Sequence, residues 1–205
     1  MNNRVHGIIG MGIPFVALIG FILFFFVFSP YAWQDFEKLS LSVYNIKNIE
    51  GQTWMSLFTY GFVGILLIAF SFGIVLNHGG SKFVKIGGIS LLLASISWFS
   101  FGIIEITGER EIASALIRTV IFHCLIVLGF LLIMADMDKV NKHKTYMWSL
   151  LAIPALLIAL GITEVSLLDH DYDALILAPW ILEFLGMGFI GHAYYSSTLA
   201  DVKDH

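Results

Sequence analysis

Residues Ile112–Ala135, IASALIRTVIFHCLIVLGFLLIMA, decide the fold class, because Arg118 and His123 are the only basic residues in this stretch and no acidic one interrupts it. A bilayer's hydrocarbon core of roughly 30 Å is crossed by about 20 apolar residues rising 1.5 Å each. Five more runs meet that length: Ile8–Phe28, Trp54–Leu76, Phe83–Ile104, Tyr146–Leu168 and Ala174–Leu199. None alternates with the period of two that a barrel strand requires, and backbone polar groups in lipid must be satisfied within their own segment. The expectation is therefore an all-α, polytopic membrane protein, a bundle of six transmembrane helices forming one domain over residues 1–205.

Composition agrees. Hydrophobic residues make up 58% of the chain and charged residues 13%, with a mean hydropathy of +0.87. So little polar surface could not solvate a globular fold of this size. The first run is read as a mature helix and not a cleaved leader, since Phe21–Phe28 is bulky and no small-residue cleavage site precedes Ser29-Pro30. The single cysteine, Cys124, falls inside the fourth run and reads as a packing residue.

Basic residues set the orientation. With the N-terminus inside, Arg4, Lys82, Lys85, Lys139, Lys142, Lys144 and Lys203 fall on the inner face, against Lys38, Lys47 and Arg110 outside. The positive-inside rule then puts both termini in the cytoplasm of a multi-pass cell-membrane protein. Acidic residues have the opposite bias, so the outer surface is expected to carry a negative field. The joints between runs are short except for the outer loop 29–53, which begins near Pro30, mixes aromatic and charged residues and ends near Gly51. It reads either as an interfacial segment held by an aromatic belt or as a cap over the outer mouth of the bundle. Ser90 with Ala94, and Ala155 with Ala159, are spaced to let helices approach closely, and Gly186, Gly188 and Gly191 suit the same purpose.

The polar residues within the runs carry the functional signal. A charge near the bilayer centre costs on the order of 2.5–3.5 kcal/mol even on the lenient insertion scale, so such residues face the bundle interior and have partners. Counted from the outer ends at 1.5 Å per residue, Glu164 lies roughly 6 Å deep, Arg118 roughly 9 Å, Glu183 roughly 13 Å and His123 roughly 16 Å. His192 sits toward the cytoplasmic end. Arg118 and His123 are separated by about 140° around their helix, and Glu183 and His192 by about 180°. Depth therefore pairs His123 with Glu183, and Arg118 with Glu164 or Glu105. The bland reading of these pairs is an ion pair that fixes helix register and a satisfied core histidine. The sharper one is a polar outer-leaflet pocket built from Arg118, His123, Glu164 and Glu183.

The order of features resembles a family of bacterial and archaeal membrane proteins grouped as domain of unknown function nine-nine-eight. The residues that carry the likeness are Leu39-Ser40-Leu41-Ser42 in the first outer loop, the aromatic-led Trp54-Met55-Ser56-Leu57-Phe58, the glycine-bearing joint before the third run, Phe122-His123 in the fourth, and Gly161-Ile162-Thr163-Glu164 in the fifth. At the last site this chain has Glu164-Val165 where the family pattern has Glu-Arg. The resemblance implies a six-helix topology in a membrane and no particular activity.

Several functions are disfavoured. No buried lysine is placed to form a retinal Schiff base, and His123 and His192 lie at different depths, unlike a pair of haem ligands. Neither a glycine-rich phosphate loop nor a basic surface exists, the net charge being −4, so nucleotides and nucleic acid are not expected partners. No metal or cofactor is expected. The first functional expectation is binding of a lipid head group or small ligand, with Arg118 holding an anion and His123, Glu164 and Glu183 setting polarity. The alternative is a hydrolase-like intramembrane enzyme acting on a lipid, with His123 as base, Glu183 orienting it, and Ser97 or a bound metal supplying the nucleophile. A proton-coupled transporter comes third, since no internal repeat is visible. Expected partners are membrane lipids, with a membrane-protein partner or a second copy of the chain also open.

Overall fold

A computed structural model describes residues 3–28, 52–77, 79–104, 109–136 and 173–203. The fifth apolar run and Glu164, Glu105, and the outer loop up to residue 51 lie outside the described residues.

Among the described residues every element is helical. α1 spans Asn3–Leu23 and continues as a π-helical turn, Phe24–Phe28. α2 starts at Gln52–Trp54, is π-helical through Met55–Phe62 and regular through Val63–Leu76. α3 is Lys82–Ile103, α4 is Glu109–Ala135 and α5 is Asp173–Lys203. Segments of α1, α2, α3 and α4 (Arg4–Leu23, Met55–Leu76, Lys82–Ile103 and Ile117–Ala135) are long and apolar enough to cross a membrane.

Lipid as the solvent explains which faces are exposed. Phe15, Phe26, Leu57 and Val120 are 62–72% exposed, a pattern that water would penalise and hydrocarbon does not. Inside, aromatic rings dominate, and Trp98, Trp180, Tyr60, Tyr194, Phe70 and Phe122 are nearly inaccessible. The stripe Thr119, Phe122, Ile126, Phe130 and Ile133 forms the buried face of α4, at the three-and-four spacing of one helical side.

Because apolar side chains gain nothing by leaving lipid for one another, the helices are held by close approach and by polar ties. α1 and α5 run antiparallel, with Gly7 against Tyr195, Gly10 against Gly191, and Gly188 against Pro14. Ser90, expected at a close helix contact, donates from Oγ to the Leu125 carbonyl at 2.8 Å and so ties α3 to α4. Between α2 and α3, the hydroxyls of Ser71 and Ser95 are 3.1 Å apart. Ser95 gives its proton to the Leu91 carbonyl, which leaves Ser71 as the donor between them.

The joint between α2 and α3 turns through Gly79 and Gly80, whose φ values of 58° and 80° lie where side chains are disfavoured. Ser81 then caps α3, its Oγ accepting from the Val84 N–H at 3.1 Å and donating to Asp136 Oδ2 at 2.5 Å. One hydroxyl thus joins the start of α3 to the end of α4. Ser81→Ala removes both bonds, and a loss of about 1–2 kcal/mol is expected. Thermal unfolding in detergent measures it; a midpoint equal to wild type would mean that the cap contributes nothing.

Candidate functional site

The site is built around Trp98 of α3. The wide turn of α2 at Met55–Phe62 contains Thr59, whose carbonyl accepts from Trp98 Nε1 at 2.9 Å. With its one polar atom satisfied, the indole is closed in by rings from three other helices: Tyr60 at 5.3 Å, Phe122 at 5.4 Å, and Trp180 and Phe184 at 4.9 and 5.3 Å. Phe122 stacks on Trp180, and His123 packs on the other part of that indole with ring centroids 4.5 Å apart.

Against this aromatic wall, His123 Nδ1 and Glu183 Oε1 are 2.5 Å apart and share a hydrogen bond between α4 and α5. The two side chains are unequally buried. Glu183 is 2% exposed and His123 26%, because Glu183 stands in the inward stripe with Trp180, Phe184 and Met187, whereas His123 is one step round from the buried Phe122. The second carboxylate oxygen of Glu183, Oε2, is buried without a hydrogen-bond partner. A charge-assisted bond of this length is among the stronger ones a protein makes, and the low-dielectric surroundings raise the stakes for every group left unpaired.

Arg118 lies apart from that pair. Its Nη1 donates to the Ser100 carbonyl at 3.3 Å and to Ser100 Oγ at 3.2 Å. Its Nε reaches the Ser114 carbonyl one turn back at 3.4 Å, and the guanidinium carbon stands 5.0 Å over the Phe101 ring. The cation thus sits at the last turn of α3, where the helix's negative dipole end favours it, and shares the Ser100 carbonyl with the Ile104 N–H. These bonds are at the long end of the accepted range. Nη2 is buried and has no partner, and among the described residues no carboxylate forms an ion pair with Arg118.

The remaining sequence-derived residues fall as follows. Ser97 donates to the Arg118 carbonyl at 3.4 Å; no hydrogen bond joins it to His123. His192 and Cys124 are on exposed faces. No group of three metal-binding side chains converges among the described residues. Two contributors went unnoticed in the sequence. Ser100 is an ordinary serine near a helix end, and only its three-residue spacing from Ser97 hints at a polar edge. Trp98 reads as one more core aromatic, since the π-helical turn that frees a carbonyl for it leaves no trace in hydropathy.

The fold and this polar interior define the class: an α-helical membrane protein with ionisable groups held within its spans. No protein-family model, no curated protein and no solved structure matches the chain.

Proposed function

We propose that the protein is a six-span protein of the cell membrane, both termini cytoplasmic, that binds the anionic part of a lipid head group or a small anionic ligand in its outer leaflet through Arg118. The observation behind this reading is a guanidinium within a membrane span that has a buried, unpartnered Nη2 and no carboxylate beside it among the described residues. A cation in that position is costly unless an anion completes its shell. Ser100 Oγ and the Phe101 ring hold the fork in place, and a phosphate oxygen is a natural acceptor for the N–H left over. The excess of basic residues on the loops assigned to the inner face supports the orientation, and the resemblance to the six-helix family supports the span count.

Binding is tested on the full chain in nanodiscs by native mass spectrometry with phosphatidylglycerol against neutral lipid. Arg118→Gln is expected to weaken retention of the anionic lipid about 10- to 100-fold, the worth of one or two charge-assisted bonds. Arg118→Lys should recover part of it, as a point charge without the planar fork. Retention unchanged by Arg118→Gln would remove the proposal.

One observation favours a second reading, an intramembrane lipid hydrolase. An imidazole tied through Nδ1 to a buried carboxylate is the base-and-orienter half of a nucleophilic triad. On that reading His123→Ala abolishes lipid turnover while lipid retention persists.

A further inference from the structure

α1 begins five residues ahead of the expected first run, and the added turn brings in His6. Its side chain is 0% exposed, and neither Nδ1 nor Nε2 has a hydrogen-bond partner. The ring packs beside Phe70 of α2 at 5.7 Å and edge-on to Tyr194 of α5 at 6.1 Å. It lies so close over Gly73 that any side chain there would overlap it. His6 is thus the plug by which the first turns of α1 seat in the cleft between α2 and α5.

We propose that His6 is a proton-binding site whose occupancy unseats the first turns of α1. A neutral imidazole in this cleft already leaves one N–H and one lone pair unsatisfied. An imidazolium brings two N–H donors and a full charge, and among the described residues the cleft offers an acceptor to neither. Among the described residues the faces around it give no counter-charge. α2 contributes Phe70 and Gly73, neither ionisable; α5 contributes the Tyr194 phenol, which is hydrogen-bonded at 3.4 Å to the Asn77 carbonyl. On its own side of the cleft the charges are cations too: Arg4, which stands over the Tyr195 ring at 5.9 Å, and the N-terminal ammonium, which disfavours the protonated ring. Arg4 and Val5 are exposed, and the charge of Arg4 keeps this end of the helix at the polar edge of the bilayer, so one short step brings the ring toward water.

The sign follows from proton counting. The unseated form takes up a proton as pH falls through about 6.5, the ordinary imidazole value, and the seated form does not, so seating is at full strength above that pH and weakens below it. The limit for one proton is a tenfold loss per pH unit.

Hydrogen–deuterium exchange of the full chain in nanodiscs, with rates corrected for their intrinsic pH dependence, tests this at residues 4–14. Between pH 6.5 and 5.5 protection should fall about fivefold in the wild type and stay level in His6→Phe and in His6→Leu, two variants in case one shape does not fit. His123→Gln should keep the wild-type fall, which separates this site from the His123–Glu183 pair. The His6 imidazole nitrogen signals, assigned by their loss in either variant, should titrate in step with the exchange. An equal fall in the variants, no fall in the wild type, or a ring that titrates while α1 stays protected each overturns the proposal.

Discussion

Gly191→Leu is expected to destabilise the protein by about 3 kcal/mol or more, while Gly12→Leu on the same helix pair changes stability by less than about 0.5 kcal/mol. A Cβ on Gly191 would lie 2.6 Å from the Met11 nitrogen and 2.7 Å from the carbonyl carbon and Cα of Gly10. All three are backbone atoms, so no rotamer change relieves the overlap, and α1 must move away from α5. In lipid the lost contact is not replaced by a hydrophobic gain elsewhere, which makes close packing the main term at stake. A Cβ at Gly12 meets nothing within 4 Å. Reversible unfolding in bicelles reads the difference directly. Similar midpoints for the two variants would show that the helices tolerate separation.

Removing His123 should cost more than removing Glu183. His123→Leu leaves a carboxylate that is 2% exposed without the imidazole bonded to it, and breaking a buried pair in that way costs about 3–5 kcal/mol. Glu183→Leu leaves behind a part-exposed imidazole that can be neutral, so a smaller loss is expected. The double replacement His123→Leu with Glu183→Leu should recover most of the stability, because two apolar side chains of similar volume satisfy the site without any polar group. Unfolding of the four proteins forms a double-mutant cycle. If the two single variants lose equal stability and the double variant loses their sum, the pair is not the electrostatic unit described here.

Helix existence was legible because hydropathy reports on the solvent, and a run that must sit in hydrocarbon has little freedom of composition. The described helices begin and end close to the expected runs, and α1 departs from its run by starting at Asn3. Hydropathy alone places His6 in the flank, outside the span, and so conceals its burial. The contact between His123 and Glu183 could be anticipated from depth, since both lie at comparable distances from the N-terminal ends of neighbours that run in the same direction. For Arg118, depth pointed to Glu164 or Glu105, which lie outside the described residues, and the contacts that are described, the Ser100 carbonyl and hydroxyl, the Ser114 carbonyl and the Phe101 ring, carry no signal in depth. A carbonyl at a helix end is invisible in a sequence, because it belongs to every residue type. The same holds for the Thr59 carbonyl that receives Trp98, which depends on a change of backbone hydrogen-bond register.

The contact between Gly10 and Gly191 also bears on how the chain is made. About 180 residues separate the two glycines, and at about 5–20 residues per second a ribosome needs some 10–40 seconds to cover that interval. Throughout it, α1 has been threaded into the bilayer with its docking groove unfilled and its seat for His6 half built. The first helix therefore waits for the last, and a nascent chain halted anywhere between them presents an unassembled α1 to the insertion machinery and to the proteases that survey it.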